Sequence, residues 1–145
     1  MRKVQAKSPF EILAIVLLPD HIHAVWGLPE GDAEYSSRWG RIKERFTREF
    51  SARDGTLDEP RSKSRLRHRE ANIWQRRFWE HTVRDEADLE RCVDYLHWNP
   101  VKHRLVERVG DHPWSSYHRF VRSGHYDADW GREDPSPGML EAGWD

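Results

Sequence analysis

At 145 residues the chain has the length of one domain with a proper core, and eight tryptophans and five phenylalanines offset an apolar content of only 37%. One cysteine, Cys92, leaves no disulfide framework and no thiolate zinc site within one chain. No apolar run reaches membrane-spanning length, no repeat has a solenoid period, and the polar residues 1–8 make no signal peptide, so an intracellular protein is expected. The formal charge of −1 hides a strong asymmetry. From Arg38 to Arg77 there are 13 Lys/Arg against 6 Asp/Glu, and from His125 to Asp145 one Arg against 6 acids. A basic middle and an acidic tail suggest a surface for a polyanion and a tail able to compete for it; a solvated helix face reads equally well from charge alone.

In chain order, residues 10–18 form a nearly continuous apolar run rich in β-branched side chains, expected as a buried strand. Pro19-Asp20 is a turn signal and residues 21–28 a second strand, so the pair is a hairpin. Ser36 and Ser37 can cap a helix running to about Ala52, with Trp39, Ile42, Phe46 and Phe50 as its core stripe and Arg41, Lys43, Arg45 and Arg48 on its remaining faces. Residues 54–70 read as a loop whose Arg61, Lys63, Arg65, Arg67 and Arg69 are suited to phosphates. Residues 73–83 end in a strand over Phe78 to Val83; Trp74 and Phe78, beside Arg76 and Arg77, could stack bases but more often pack in a core. Asp85 caps a helix with Glu86 and Asp88 in its first turn and Leu89, Cys92, Val93 and Leu96 as its buried stripe, expected to end near Trp98 or Asn99 ahead of Pro100. Pro113 suits the first position of a last helix, with Gly124 beyond its end. The organisation expected is one domain over residues 1–124 and an acidic, largely irregular tail over residues 125–145.

Two features carry chemistry. Side chains i and i+2 of a strand share a face, so His21 and His23 can point together and form half of a metal site; two solvent-facing histidines are the bland alternative. Tyr95 and Asn99 are four apart and stack on one face of their helix. A tyrosine can attack phosphorus, although at neutral pH a group with an ordinary pKa of about 10 needs help. An asparagine amide oxygen suits a hard divalent cation. Spacing alone does not bring residues 21–23 to residues 95–99.

The wording of the sequence does connect them. Leu17-Leu18-Pro19-Asp20-His21-Ile22-His23, then Trp74-Gln75-Arg76-Arg77-Phe78-Trp79-Glu80-His81, then Asp94-Tyr95-Leu96-His97-Trp98-Asn99-Pro100-Val101-Lys102-His103, then Trp114-Ser115-Ser116-Tyr117 occur in order. Over residues 9–131 this closely resembles the REP-associated tyrosine transposases, single-tyrosine members of the HUH (histidine–hydrophobe–histidine) nuclease superfamily. The resemblance implies an α+β fold, a ferredoxin-like antiparallel sheet with helices on one face. It implies metal-dependent cleavage and rejoining of single-stranded DNA at hairpins, as in bacterial repeat elements, by a cytoplasmic, nucleoid-associated protein. Tyr95 would form a 5′-phosphotyrosine and release a 3′-OH, while His21, His23 and Asn99 would hold Mg²⁺ or Mn²⁺. Arg41, Arg45, Arg61, Lys63, Arg65, Arg67, Arg69, Arg76 and Arg77 would meet DNA. Tyr117 is the rival tyrosine; it has no amide at i+4 and is expected to pack.

The chain departs from the family's pattern at its start. Members usually carry some forty more residues before the hairpin, including a strand that would lie beside the histidine strand. The expected consequence is a sheet lacking its first strand, with an unpaired edge through which copies could associate. Three activities are therefore kept: single-strand DNA transesterase, nucleic-acid hairpin-binding module with decayed chemistry, and metal-dependent phosphodiesterase using water.

Overall fold

The hairpin forms as its residues dictate. In the computed structural model, which describes residues 1–53, 73–74 and 78–131, strand β1 (Glu11–Leu17) pairs antiparallel with β2 (Ile22–Gly27), and the Leu18 N–H donates to the His21 carbonyl at 2.9 Å to close the turn. The register sets Leu17 opposite Ile22 and Val16 opposite His23. Ala14 and Val16 are fully buried while Glu11 and Leu17 are exposed, so β1 buries one face, where its apolar run predicts burial on both. The described residues fall into two units. The hairpin and residues from Glu80 onward make one, and Met1–Phe10 with Leu28–Trp79 make the other.

In the hairpin unit, helix α3 (Glu86–Lys102) follows the predicted cap: the Asp85 carboxylate accepts the Asp88 N–H at 2.8 Å, with Glu86 and Asp88 facing the positive end of the helix dipole. Its Val93 and Leu96 join Ala14, Val16 and Leu18 in one core cluster. Its Tyr95 and Trp98 join Val109 and Tyr117 in a second, onto which Tyr126 and Trp130 of residues 125–131 also pack. Gly131 closes that stretch at φ +81°, where a Cβ would stand 2.6 Å from a Val109 methyl.

Three expectations are corrected here. The helix does not stop before Pro100 but runs on to Lys102. Pro100 removes the one N–H that would reach the Leu96 carbonyl, and the helix still ends in a Schellman arrangement: Leu105 N–H donates to Pro100 O at 2.9 Å and Arg104 N–H to Val101 O at 2.8 Å, with Arg104 left-handed at φ 56°. Phe78 to Val83 forms no strand. Asp88 holds its end instead, accepting from His81 Nε2 at 2.8 Å and from the Arg84 N–H at 3.0 Å. The last helix, α4 (Tyr117–Arg122), begins four residues later than Pro113 allows, because residues 112–116 are committed to the edge of β1. Trp114 O accepts the Leu17 N–H at 2.9 Å, Ser116 N–H donates to Ile15 O at 2.8 Å, and His112 Nε2 donates to Leu17 O at 2.8 Å. Gly124, at φ +75°, lies just past the end of α4, as its sequence position predicts. Among the described residues the sheet has two strands, so β2 has β1 as its only strand neighbour, and α3 and α4 pack on the hairpin in an α+β arrangement.

In the other unit, the short α1 (Arg2–Gln5) precedes α2 (Tyr35–Arg53), which ends one residue past the predicted Ala52 but starts earlier than predicted, so that Ser36 and Ser37 lie inside the helix and do not cap it. Its start is fastened by Asp32, which accepts the Glu34 N–H and both terminal nitrogens of Arg38, at 2.9 and 2.5 Å. Arg38 also donates to the Pro9 carbonyl at 2.9 Å, which is why a guanidinium can be buried there. The predicted core stripe is only half right. Ile42 is buried, whereas Phe46 and Phe50 are 46% and 42% exposed, stacked on each other with ring centres 5.9 Å apart. Phe46 also meets Trp74 edge-on at 5.2 Å.

Candidate functional site

The alternation of strand side chains sets the first half of the site. His21, at the mouth of the turn, and His23, in β2, have ring centres 4.9 Å apart at 82°, on one face as their spacing requires. His21 Nδ1 lies 2.6 Å from the Asp20 carboxylate. A carboxylate only accepts, so Nδ1 carries a proton, and Nε2 is the nitrogen left for another partner. That hydrogen bond from His21 is also the main cause holding the Asp20 carboxyl below its ordinary pKa.

Helix α3 supplies the second half. The Tyr95 ring stands perpendicular to His23, centres 6.0 Å apart. Asn99 follows one turn on, fully buried, and among the described residues neither its amide oxygen nor its amide nitrogen has a hydrogen-bond partner. A buried primary amide with nothing to bind is costly, on the order of 1–3 kcal/mol, so the group is held there for something other than stability. Two residues of the site escaped the sequence reading. Lys102 Nζ donates to Tyr95 Oη at 2.8 Å. The His103 ring sits 5.2 Å from that of His21. Spacing could have found Lys102, since seven residues are two helical turns and return to the face of Tyr95. His103 lies at the helix C-cap, where no periodicity points it.

The remaining predicted residues divide by location. Arg41 donates to Ser8 Oγ, and Arg45 pairs with Glu49 at 2.7 Å, as its neighbour Arg48 does with Glu44 at 2.6 Å; that helix face is thus partly neutralised. Arg61, Lys63, Arg65, Arg67 and Arg69, with Arg76 and Arg77, lie outside the described residues. Trp74 and Phe78 flank Lys43, whose ammonium is 5.9 and 5.5 Å from their ring centres; burial lowers its pKa. Tyr117 packs, 3% exposed, with its hydroxyl 3.4 Å from the Ala128 and Trp130 carbonyls.

A second group of metal-ligating type was not foreseen: His81, Asp88 and Cys92 offer donor atoms within 4.8 Å of one another. Its ligands are already engaged. Asp88 accepts from His81, Arg84 and, at 3.2 Å, Arg91, and burial pushes the Cys92 thiol up to about 11, keeping it protonated.

Fold and site together define an α+β protein in which a histidine pair at the start of β2 lies beside a helix-borne tyrosine, His23 meeting it directly. No family model matches the chain. It is 48% identical over 123 residues to a REP-associated tyrosine transposase of Haemophilus influenzae, covering 85% of this chain and 68% of that protein. To the REP-associated tyrosine transposase of Escherichia coli it is 44% identical over 128 residues, covering 88% and 67%. A solved structure of a REP-associated tyrosine transposase bound to a REP hairpin superposes with a TM-score of 0.74 at 43% identity, over 93% of this chain and 72% of that one. The chain belongs to the REP-associated tyrosine transposases, a family of enzymes. Among the described residues, no helix is long and apolar enough to cross a membrane.

Proposed function

We propose that this protein cleaves and rejoins single-stranded DNA at REP-like hairpins in the bacterial nucleoid, through a 5′-phosphotyrosine on Tyr95. The observation that carries this reading is the placement of Tyr95 against His23, with the unpartnered Asn99 amide one turn away. Two imidazoles and a buried amide oxygen are a donor set that suits a divalent cation, so His21, His23 and Asn99 would hold Mg²⁺ or Mn²⁺. The ion's contribution would be polarisation of the scissile phosphate. The chain's own part is positional: β2 holds the imidazoles, the Asp20 carboxylate orients His21, and α3 sets the phenol beside them. Tyr95 Oη forms a bond to phosphorus, the 3′ oxygen leaves, and the phosphodiester is conserved for the reverse step. Arg41, Arg45, Arg61, Lys63, Arg65, Arg67, Arg69, Arg76 and Arg77 would neutralise the DNA backbone. The outer edge of β2 is where a second copy would add by strand pairing.

One observation favours a hairpin-binding protein whose chemistry has decayed: Tyr95 is 3% exposed, so DNA must displace its cover to reach Oη. One experiment separates the readings. The chain is incubated with single-stranded hairpin DNA and Mn²⁺ and resolved on a denaturing gel. A covalent adduct is expected from the wild type, none from Tyr95→Phe, and none from the His21→Ala, His23→Ala double variant, with hairpin affinity of Tyr95→Phe within a few-fold. Hairpin binding without adduct or cleavage supports the decayed module. Cleavage without adduct supports hydrolysis by water.

A further inference from the structure

We infer that Lys102 is a catalytic residue of this site, holding the charge that passes through Tyr95 Oη when the DNA strand is cut and again when it is rejoined. The inference rests on Tyr95 being the nucleophile, as proposed above.

The geometry is specific. Lys102 Nζ donates to Tyr95 Oη at 2.8 Å and lies 4.8 Å from the centre of the same ring. From these two distances, and a phenol oxygen about 2.8 Å from its own ring centre, the ammonium meets Oη at about 120° to the C–O bond. That is the side on which an oxygen lone pair lies, and the approach leaves a second lone pair for phosphorus. The alkyl stem follows the last turn of α3, whose end is locked by the Schellman arrangement around Arg104, so the ammonium is delivered by a rigid element. Lys102 is itself exposed, with Tyr95 buried behind it. A phosphodiester reaching Oη therefore meets this ammonium on the way in.

The chemistry balances as follows. In cutting, an Oη lone pair forms the Oη–P bond and the P–O3′ bond breaks with its electrons going to O3′. The phenol's proton leaves to water and O3′ takes one up from water. In rejoining, O3′ attacks and Oη departs with its electron pair. Oη bears partial negative charge in both transition states, and a preorganised ammonium at hydrogen-bond distance stabilises it there more than in the neutral ground state. Lys102 keeps its proton throughout and transfers nothing.

The test uses the full chain, single-stranded hairpin DNA and Mn²⁺. Adduct formation is timed in the wild type, Lys102→Met, Lys102→Arg and Tyr95→Phe, and rejoining is timed by adding a strand with a free 3′-OH to the preformed adduct. Lys102→Met is expected to slow cutting and rejoining alike, by about tenfold to a hundredfold, at or below the low end for loss of one charge-stabilising donor because Lys102 is exposed. The final adduct fraction and hairpin affinity should stay within about twofold, because one transition state serves both directions. Lys102→Arg is expected to recover most of the rate. Lys102→Met with wild-type rates overturns the inference, and so does a loss confined to hairpin affinity, which would make Lys102 a backbone contact. An adduct that persists in Tyr95→Phe, or none in the wild type, overturns the Tyr95 reading first and this inference with it. Lys102 is exposed, so the methionine variant is expected to fold; should its melting curve differ, Lys102→Arg decides the matter, near-wild-type rates supporting the inference and rates as slow as those of Lys102→Met overturning it.

Discussion

The two long helices of this protein, α2 with 19 residues and α3 with 17, were given similar stripes of apolar residues, yet they are used in opposite ways. From Tyr95 to Pro100 every residue of α3 is buried. In α2 only Arg38 and Ile42 are buried, and the phenylalanines of its second half are exposed. A helix enclosed on all sides cannot roll or slide, because each direction meets a packed core, and so it can hold a phenol and an amide at fixed places. A helix anchored at one end by an ion pair presents side chains outward and tolerates change. The lesson is that rigidity follows what covers a helix: the more amphipathic of the two, α2, is the less buried.

The largest expected effect sharpens that contrast directly. Leu96→Ala in α3 should cost about 2–5 kcal/mol of unfolding free energy, as for a buried leucine in a well-filled core. Phe50→Ala in α2 should cost about 1 kcal/mol or less, as a surface change. Urea titration of both variants checks it, and equal losses would break the comparison.

The next effect is the acid response. His97, fully buried in α3, bridges Ser116 Oγ at 2.8 Å and Tyr126 Oη at 3.1 Å, and Tyr126 donates to Asp94 at 2.6 Å. Ser116 Oγ already accepts the Ile15 N–H, so its own proton goes to His97 Nε2 and His97 donates through Nδ1; the ring is neutral. Burial pushes its pKa down to about 3 from 6.5. A depressed value means the unfolded chain binds the proton first. The contribution is therefore whole above pH 6.5 and is lost, at roughly 1 kcal/mol per pH unit, as pH falls from 6.5 toward 3. Asp94, whose pKa burial raises, works in the opposite sense near the foot of that window. In α2 the window is different: hydrogen bonding by Arg38, then by the Glu34 N–H, holds Asp32 near 2, so its contribution is lost only below pH 3.8. Stability measured from pH 7 to 4 should fall in the wild type and fall less steeply in His97→Gln. A variant that keeps the full slope would place the acid sensitivity outside α3.

The smallest effect concerns how α3 ends. Arg104 stands at φ 56°, where a glycine pays no steric penalty. Arg104→Gly should raise stability by about 0.5–1 kcal/mol, seen as a higher melting temperature. A lower one would mean that the arginine side chain contributes more than its backbone costs.

Much of this was readable residue by residue. The hairpin, the Asp85 cap, the shared face of His21 and His23, and the pairing of Tyr95 with Asn99 depend on periods of two and 3.6 and on capping chemistry, all local properties of the chain. Their joining into one site was not local; the resemblance to a family carried it, and only the packing of α3 on the hairpin supplies its physical cause. Three further features were decided by tertiary structure alone. Residues 112–116 bind the edge of β1 and delay α4. Asp88 draws His81 and Arg84 away from any strand. Phe46 and Phe50 stay 46% and 42% exposed, stacked on each other. In each case the deciding contact spans a separation, or a competition between partners, that no local pattern encodes, whereas caps and alternation are settled within a few residues of themselves.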